Sequence, residues 1–351
     1  MDTDKRPIYP IQVWDITETE FDIKNNYRNE TTFALSNGYI GTRGTFEEAY
    51  DFDIDTGLEG NFVNGFYESE KIRYGEANFG SPLLSQSLLN LPNLKETHVI
   101  LADEKFDMMD GTVEEYERVL HMKEGILERK LIWTSPKGKK TRIQILRLVS
   151  FARKNIMLIS YRVTPLNYSG EIQFVSKMQT DVENHTRKTN PIVDYGPFGR
   201  RLNPDKMWAK NNKMYYEGTT KGSQLTMAKD IKEMMAEISV SVECEQGTTV
   251  KLDKFICYST ALDMGKNELE TFVNKELEAA ETDGGLYLEK YQKEYMESFW
   301  KIADVEIKGN EAVQQGIHFN LYHIIQAAGR DGHTGMGAKG LSGEGYEGHY
   351  F

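Results

Sequence analysis

Residues 143–178 read IQILRLVSFARKNIMLISYRVTPLNYSGEIQFVSKM and contain three successive apolar runs, each of strand length. The first run alternates with a period of two, whereas the second, residues 156–163, is apolar on both of its faces. A strand of the second kind is covered on both sides. The third run, residues 172–178, follows a turn signature at Asn167–Gly170. Short strands at this spacing predict stacked antiparallel sheets, that is, a β-sandwich.

The period of two dominates from residue 1 to about residue 263, which predicts one N-terminal β-sandwich domain over residues 1–263. Near its end, residues 238–242 alternate, a turn signature follows at residues 245–247, and residues 250–257 alternate again. This pattern predicts a β-hairpin.

Between residues 264 and 309 the period becomes helical, which predicts a helical linker broken at Asp283–Gly285. The predicted apolar stripe of its second helix comprises Leu286, Leu288, Tyr291, Tyr295, Met296 and Phe299. Asn310 is then a candidate N-cap for a helix over residues 311–328. The predicted apolar stripe of that helix comprises Val313, Ile317, Leu321, Ile324, Ile325 and Ala328.

The composition indicates a globular protein. Apolar residues make up 39% of the 351 residues, with 16 Phe, 19 Tyr and 4 Trp available to fill a core. The net charge of -12 opposes binding to nucleic acid, because phosphate contacts need clustered Lys and Arg. The polar N-terminus lacks the apolar segment of a signal peptide, and no run reaches 18 apolar residues. We therefore expect a cytoplasmic protein that binds neither nucleic acid nor membrane.

The cysteine and histidine positions favour neither a disulfide nor a metal site. Cys244 and Cys257 lie in apolar strand-like runs, which predicts buried free thiols. His318 and His323 are five residues apart and do not share a helical face, and no H-E-x-x-H motif occurs. We expect no metal and no cofactor.

The C-terminal stretch, residues 329–351, reads GRDGHTGMGAKGLSGEGYEGHYF. Gly343, Gly345 and Gly348 match the bare G-x-G-x-x-G pattern of a dinucleotide loop. That motif should follow a strand and open a helix, whereas here it follows a helix and a long loop. The stretch is better interpreted as the wall of a binding site, where glycines let the backbone approach a polar ligand.

Several segments resemble glycoside hydrolase family 65, whose members include maltose, kojibiose, nigerose and trehalose phosphorylases. Residues 340–351, GLSGEGYEGHYF, together with Phe319–His323, resemble the start of the family's catalytic domain. Four earlier segments are similar to its N-terminal domain in order and spacing: residues 33–44, 64–68, 91–94 and 120–129.

The resemblance implies a mainly β fold: a galactose-mutarotase-like super-sandwich, then linker helices, then the first helix of an (α/α)6 barrel. Residues 310–351 would be the start of that catalytic barrel, which is truncated here. The variant at residues 345–351, with Glu347 where other members often have arginine, looks most like maltose phosphorylases.

The implied activity is phosphorolysis of an α-glucosyl disaccharide, with maltose and phosphate giving β-glucose 1-phosphate and glucose. Phosphate takes the place of the nucleophile as co-substrate, and the resemblance puts the single catalytic glutamate later in the barrel. The expected partners are thus a disaccharide, phosphate and the missing barrel, with a second copy as a candidate homodimer partner. We expect no catalytic residue in this chain and no turnover by it alone. The open alternatives are a non-catalytic carbohydrate-binding or association module and a family 65 hydrolase such as a trehalase.

Within the C-terminal stretch, Tyr346, His349 and Phe351 are the candidate substrate-binding residues, because sugars bind to aromatic faces and polar hydrogen-bonding groups. An equally open interpretation packs the two aromatic side chains in the barrel core and hydrogen-bonds His349 internally. The loop-shaping candidates are Gly343, Glu344, Gly345, Glu347 and Gly348. The spacing of the two glutamates fixes no geometry, so they are not assigned as acid and base.

Near the N-terminus, Asn37, Gly38, Gly41 and Gly44 predict a cluster of turns and bulges. Arg43 lies among them and is predicted to be a structural ion-pair partner rather than a residue at the rim of the site.

Overall fold

The structure of the protein is a computed structural model that describes residues 7–49, 57–71, 79, 84–184, 199–220, 235–337 and 339–343. Its strands are β1 Asp15–Glu18, β2 Leu35–Ser36, β3 Ile40–Thr42, β4 Asn61–Val63, β5 Tyr67–Lys71, β6 Leu84–Leu88, β7 Thr97–Leu101, β8 Glu104–Lys105, β9 Thr112–His121, β10 Ile126–Thr134, β11 Lys140–Val149, β12 Ile156–Pro165, β13 Gly170–Gln179, β14 Leu202–Lys210, β15 Lys213–Thr220, β16 Met235–Cys244 and β17 Val250–Cys257. Its helices are α1 Asn26–Thr32, α2 Leu269–Asp283, α3 Gly285–Ala303 and α4 Glu311–Ala327, with short 3-10 turns at Ile23–Asn25 and Lys266–Glu268.

Two antiparallel sheets form the sandwich. The larger has the order β1-β9-β10-β11-β12-β17 and the smaller the order β16-β13-β7-β8. Ile143, Ile145 and Tyr161 of the larger sheet pack in one core with Ile172 and Phe174 of the smaller sheet. The predicted antiparallel β-sandwich is therefore confirmed.

The other face of the larger sheet is covered by helices α2 and α3. Leu146, Leu148 and Leu158 form a second core with Leu277 of α2 and Leu288 of α3. Strand β12 is thus buried on both faces, which explains why residues 156–163 lack polar alternation.

The hairpin predicted over residues 238–257 is wrong. Strand β16 pairs with β13 in the smaller sheet, whereas β17 pairs with β12 in the larger sheet. The connection at residues 245–247 therefore crosses between the sheets, next to the connection at residues 166–169, and Gly247 N donates to Pro165 O at 2.8 Å. A turn signature shows only that a strand ends, and does not tell which sheet receives the next strand.

The helix boundaries agree with the sequence, whereas the predicted apolar stripes are buried only in part: Leu288 and Met296 of α3 are buried as predicted. The break between α2 and α3 falls at Gly284, which has a φ of 79°. The Asn310 side chain caps α4 by accepting a hydrogen bond from Val313 N at 3.1 Å. However, Leu286 is 66% exposed, and Val313 and Ile324 of α4 are 45% and 53% exposed. Helix α4 instead buries Gln314, His318, Tyr322, Gln326 and Ala327.

Two further features concern the cysteines and the membrane. Both Cys244 and Cys257 are free thiols, as predicted, with Cys244 buried and Cys257 half-buried. Among the described residues, no helix combines the length and the apolar character needed to cross a bilayer.

An ion-paired histidine joins β1 to the larger sheet and makes stability sensitive to alkaline pH. His121 Nδ1 lies 2.8 Å from Asp15 Oδ1, and its Nε2 lies 3.7 Å from Glu128 Oε2. Burial lowers the pKa of His121, but the two carboxylates outweigh it and raise the pKa from 6.5 to about 9. The charged imidazolium stabilises the fold fully below pH 6.5, and this contribution is lost as the pH rises to 9.

We therefore expect His121→Gln to be most destabilising below pH 6.5 and close to wild type above pH 9. Because about one-third of the side chain is exposed, the difference stays below ~1 kcal/mol. Urea unfolding of both proteins from pH 6 to pH 10 measures it. A difference that is independent of pH would contradict the role of the imidazolium charge.

Candidate functional site

A glycine-rich loop follows α4 and rests on a small sheet of the N-terminal domain. We define the loop as the described residues 328–337 and 339–343, and the loop platform as the three-stranded sheet β2-β3-β4 with its turns. Ser36 Oγ donates to Gln326 O at 2.7 Å, and Gly38 N donates to the same oxygen at 2.7 Å. Asn64 Nδ2 donates to Gly335 O at 3.0 Å. The platform therefore binds the backbone where the helix ends and the loop begins.

Glycines make the close approach of loop and platform feasible. A Cβ atom at Gly41 would lie 2.2 Å from Leu341 O, and one at Gly38 would lie 2.1 Å from Ala328 O. Gly38 also has a φ of +82°, and the Asn37 side chain stabilises this turn by accepting from Tyr39 N at 3.0 Å. The predicted turn is confirmed, and its glycines serve contact with the loop as well as turn geometry.

Arg43 connects the platform to the far end of the loop. Its Nη1 donates to Ser342 O at 2.8 Å, its Nε donates to Leu58 O at 2.7 Å, and its Nη2 lies 3.5 Å from Glu30 Oε2. The predicted ion pair is therefore present. The same guanidinium also fixes the loop, because it holds the carbonyl next to Gly343.

Beneath the platform lies a fully buried ammonium group. Lys95 Nζ donates to Thr42 Oγ1 at 2.8 Å, Thr45 Oγ1 at 2.7 Å and Glu59 Oε1 at 2.6 Å. Burial lowers the pKa of Lys95 to about 8 despite Glu59. Burial opposes ionisation of Glu59 as well, but the Lys95 charge outweighs it and lowers the pKa of that carboxyl group. Each group therefore keeps the other charged, and together they fix strand β3 from below.

A second buried ion cluster attaches the segment after β3 to the larger sheet. Arg147 Nε donates to Glu47 Oε1 at 2.8 Å, and Arg147 Nη1 donates to Arg43 O at 3.0 Å. Arg129 Nη2 also donates to Glu47, at 3.1 Å. Burial raises the pKa of Glu47, but Arg147 and Arg129 outweigh it and lower the pKa to about 2. A continuous set of contacts thus runs from the sandwich through Arg43 to the glycine-rich loop.

Helix α4 reaches the platform in a fixed orientation because several of its polar side chains form hydrogen bonds at the interface. The His318 ring stacks on Trp14 with a centroid distance of 3.6 Å, and its Nδ1 lies 2.7 Å from Val13 O. Gln314 Nε2 donates to Val305 O at 2.8 Å, and Gln326 Oε1 accepts from Ser36 N. The receiving surface presents backbone groups that need partners, so it takes polar side chains of the helix in addition to Leu321 and Ile325 of the predicted apolar stripe, which pack against the main core.

Among the predicted site residues, Gly343 lies in the described part of the loop. A Cβ atom there would be 3.9 Å from Arg43 Nη1, which places Gly343 beside the platform. The remaining predicted site residues lie outside the described residues: Glu344, Gly345, Tyr346, Glu347, Gly348, His349 and Phe351. Their roles stay predictions.

Sequence reasoning missed residues that position the loop from a distance: Asn64 binds the loop, Ser36 binds the end of α4, and Lys95 lies beneath the platform. None of them carried a chemical signature, although Ser36 and Asn64 lie in segments that resemble the family. Asn64 and its partner Gly335 are 271 positions apart, so no local pattern links them.

The described residues of this site hold the glycine-rich loop in position. The buried carboxylates of Glu30 and Glu47 and the partly buried carboxylate of Glu59 all face cations, so they are committed to ion pairs rather than available for proton transfer. The described residues contain no group of three or more His, Cys, Asp or Glu side chains arranged to bind a metal ion.

Comparison with known proteins gives a consistent result. The family model described as glycosyl hydrolase family 65, N-terminal domain, matches residues 16–299. The chain is similar to alpha,alpha-trehalose phosphorylase of Thermoanaerobacter brockii, with 41% identity over 99% of this chain and 47% of the relative. It is also similar to kojibiose phosphorylase of the same organism, with 29% identity over 96% of this chain and 44% of the relative.

One solved structure, a candidate kojibiose phosphorylase from the human microbiome, matches the fold with a TM-score of 0.82 at 22% identity. The match covers 97% of this chain and 45% of that one. The chain thus spans about half the length of the relatives that it matches.

Proposed function

The chain belongs to glycosyl hydrolase family 65, and on that premise we propose that it is the N-terminal part of an inverting disaccharide phosphorylase. The observation that carries the proposal is the attachment of the glycine-rich loop to the platform through Arg43 and Asn64, with Ser36 binding the end of α4 just before the loop. A sandwich domain that fixes the backbone of such a loop is suited to presenting the residues after it to a sugar.

In the proposed division, residues 1–263 form the sandwich domain, residues 264–309 the linker and residues 310–351 the start of an (α/α)6 catalytic barrel. The remainder of the barrel would supply the catalytic glutamate and the phosphate-binding residues. Tyr346, His349 and Phe351 are the proposed sugar contacts, and Gly343 to Gly348 shape the loop around them.

In the proposed reaction, phosphate attacks the anomeric carbon of an α-linked glucose while a carboxylic acid protonates the leaving oxygen. The products are β-glucose 1-phosphate and glucose. No cofactor is needed, because phosphate is a co-substrate. We further propose that the protein is cytoplasmic and forms homodimers.

Two substrates have specific support. Maltose is favoured by the segment at residues 345–351 with Glu347. Trehalose is favoured by the 41% identity to an alpha,alpha-trehalose phosphorylase. Both give the same products on phosphorolysis, so the disaccharide consumed separates the two.

The test uses the full-length parent protein, incubated with maltose, trehalose or kojibiose in the presence and absence of phosphate. We expect β-glucose 1-phosphate from one disaccharide, strictly dependent on phosphate, and no turnover by the 351-residue chain alone. Two glucose molecules formed without phosphate would instead identify a hydrolase. Carbohydrate binding without any turnover by the parent would favour a non-catalytic module.

A further inference from the structure

A cavity of about 560 Å³ lies at the open edge of the sandwich, beside the edge strand β17. Its walls come from β13, β16, β17, the β14-β15 hairpin and α2. This volume lies in the range of small-molecule sites, which is about 300–1,000 Å³. None of its lining residues belongs to the loop platform or to the glycine-rich loop.

Most of the cavity wall is apolar or aromatic. Phe174, Met178 and Leu252 contribute aliphatic and aromatic surface from the two sheets. Trp208 and Tyr215 stack on each other at 5.0 Å and form part of the wall on the hairpin side. Such a wall favours a ligand with an apolar or planar body.

Two hydroxyl groups of the lining residues find no partner in the described part of the chain. Tyr216 Oη and Ser259 Oγ are buried and form no hydrogen bond with any described residue, and Ser259 is only 8% exposed. Burial, together with the Asp205 carboxylate, raises the pKa of Tyr216, so its hydroxyl keeps its proton and can donate. Buried polar groups are almost always hydrogen-bonded, so these two indicate a missing acceptor.

Lys254 lines this cavity and forms no direct ion pair with a carboxylate of the described residues, although the Glu96 and Glu47 carboxylates act on it from a longer range. Its Nζ donates to Glu96 O at 2.9 Å and to Thr97 Oγ1 at 3.1 Å. A charged ammonium has three N–H donors, so one remains available. The other lining lysines form ion pairs with carboxylates: Lys177 with Glu237, Lys206 with Glu217, Lys213 with Glu281, and Lys266 with Asp205 and Glu217. Burial lowers the pKa of Lys254 to about 7, because it outweighs the opposing effect of the Glu96 and Glu47 carboxylates.

We propose that this cavity binds a small organic carboxylate with an apolar or aromatic body. The carboxylate pairs with Lys254, and the hydroxyl groups of Tyr216 and Ser259 donate to its oxygens. The body lies against Phe174 and Trp208. A monoanion fits better than a phosphate ester, because the other lysines of the wall are already paired with carboxylates and the wall also contains the carboxylates of Asp253 and Glu270.

The test compares phenylacetate with its neutral amide, phenylacetamide, on the purified chain by titration calorimetry and tryptophan fluorescence. We expect saturable one-to-one binding of phenylacetate, at least about tenfold tighter than that of the amide, because the amide forfeits a hydrogen bond to a charged group. Lys254→Met should weaken phenylacetate binding by a similar factor and leave amide binding unchanged.

The matched control is Lys206→Met. This lysine lines the same cavity, but its side chain is 64% exposed and already paired with Glu217, so phenylacetate affinity should stay within about twofold. Tyr216→Phe removes one hydroxyl group without changing the charge and should weaken phenylacetate binding, which provides a second measurement if Lys254→Met folds poorly. Absence of saturable binding, equal affinity for acid and amide, or an equal loss with Lys206→Met would overturn the proposal.

Discussion

Replacing Glu47 with glutamine is expected to destabilise the protein by about 3–5 kcal/mol, the largest effect of any single charge removal proposed for this chain. Glu47 is 4% exposed and faces two guanidinium groups, those of Arg147 and Arg129. Its neutralisation would leave these buried cations with less compensation than their desolvation requires. Chemical unfolding followed by circular dichroism measures the loss.

The free energy of unfolding measured at acidic pH tests the role of Glu47 independently. Because the pKa of Glu47 is lowered from 4.5 to about 2 in the folded protein, its contribution is complete above pH 4.5 and disappears as the pH falls to 2. The stability difference between wild type and Glu47→Gln should therefore shrink over that range.

Glu114→Gln is the matched control. Glu114 pairs with Lys140 at 2.7 Å, but both side chains are exposed to solvent, so its neutralisation should have a far smaller effect. Equal losses for the two variants would show that the Glu47 cluster has no special role in stability.

Gly41→Ala is expected to displace the glycine-rich loop from the platform. The added Cβ would lie 2.2 Å from Leu341 O and 2.3 Å from Leu341 Cβ, and the first of these contacts is with backbone, which cannot rotate away. Hydrogen exchange of residues 339–343 should therefore become faster in the variant, while the strands of the larger sheet stay protected.

The same substitution tests how the platform supports the proposed activity. In the full-length parent, a loop displaced by an ångström should lower kcat/KM by roughly 100-fold. Gly316→Ala is the control, because a Cβ at this position of α4 would meet nothing within 4 Å and alanine favours a helix. An undisturbed loop in Gly41→Ala would refute the proposed fit between loop and platform.

Local sequence patterns predicted the elements of this fold well. The alternating runs of β11 and the doubly apolar run of β12 are present as predicted, with Leu146 and Leu158 facing the helices. The N-cap at Asn310 and the break at Gly284 also appear where the residues indicate them. Each of these features depends on a few neighbouring residues, so a local pattern is sufficient to specify it.

Sequence patterns failed to predict which side chains of α4 are buried, because burial depends on the surface against which the helix packs. The stripe of α4 that looks apolar in sequence leaves Val313 and Ile324 exposed, whereas Gln314 and His318 are buried against backbone carbonyls of the linker and the N-terminal segment. Hydrophobic periodicity shows where apolar side chains recur along a helix, but it contains no information about the surface against which the helix packs.

The sequence by itself determined that this protein is a β-sandwich followed by helices, and its motifs indicated the family to which it belongs. Only the tertiary structure decided that Ser36 binds the end of α4, and that Arg43 and Asn64 bind the loop after it, 271 to 299 positions later in the chain. The tertiary structure alone also showed that Glu47 and Lys95 form ion pairs in the interior beneath that loop. Strand and helix formation is governed by neighbouring residues, whereas a buried ion pair or a backbone contact exists only once distant segments have been brought together by folding.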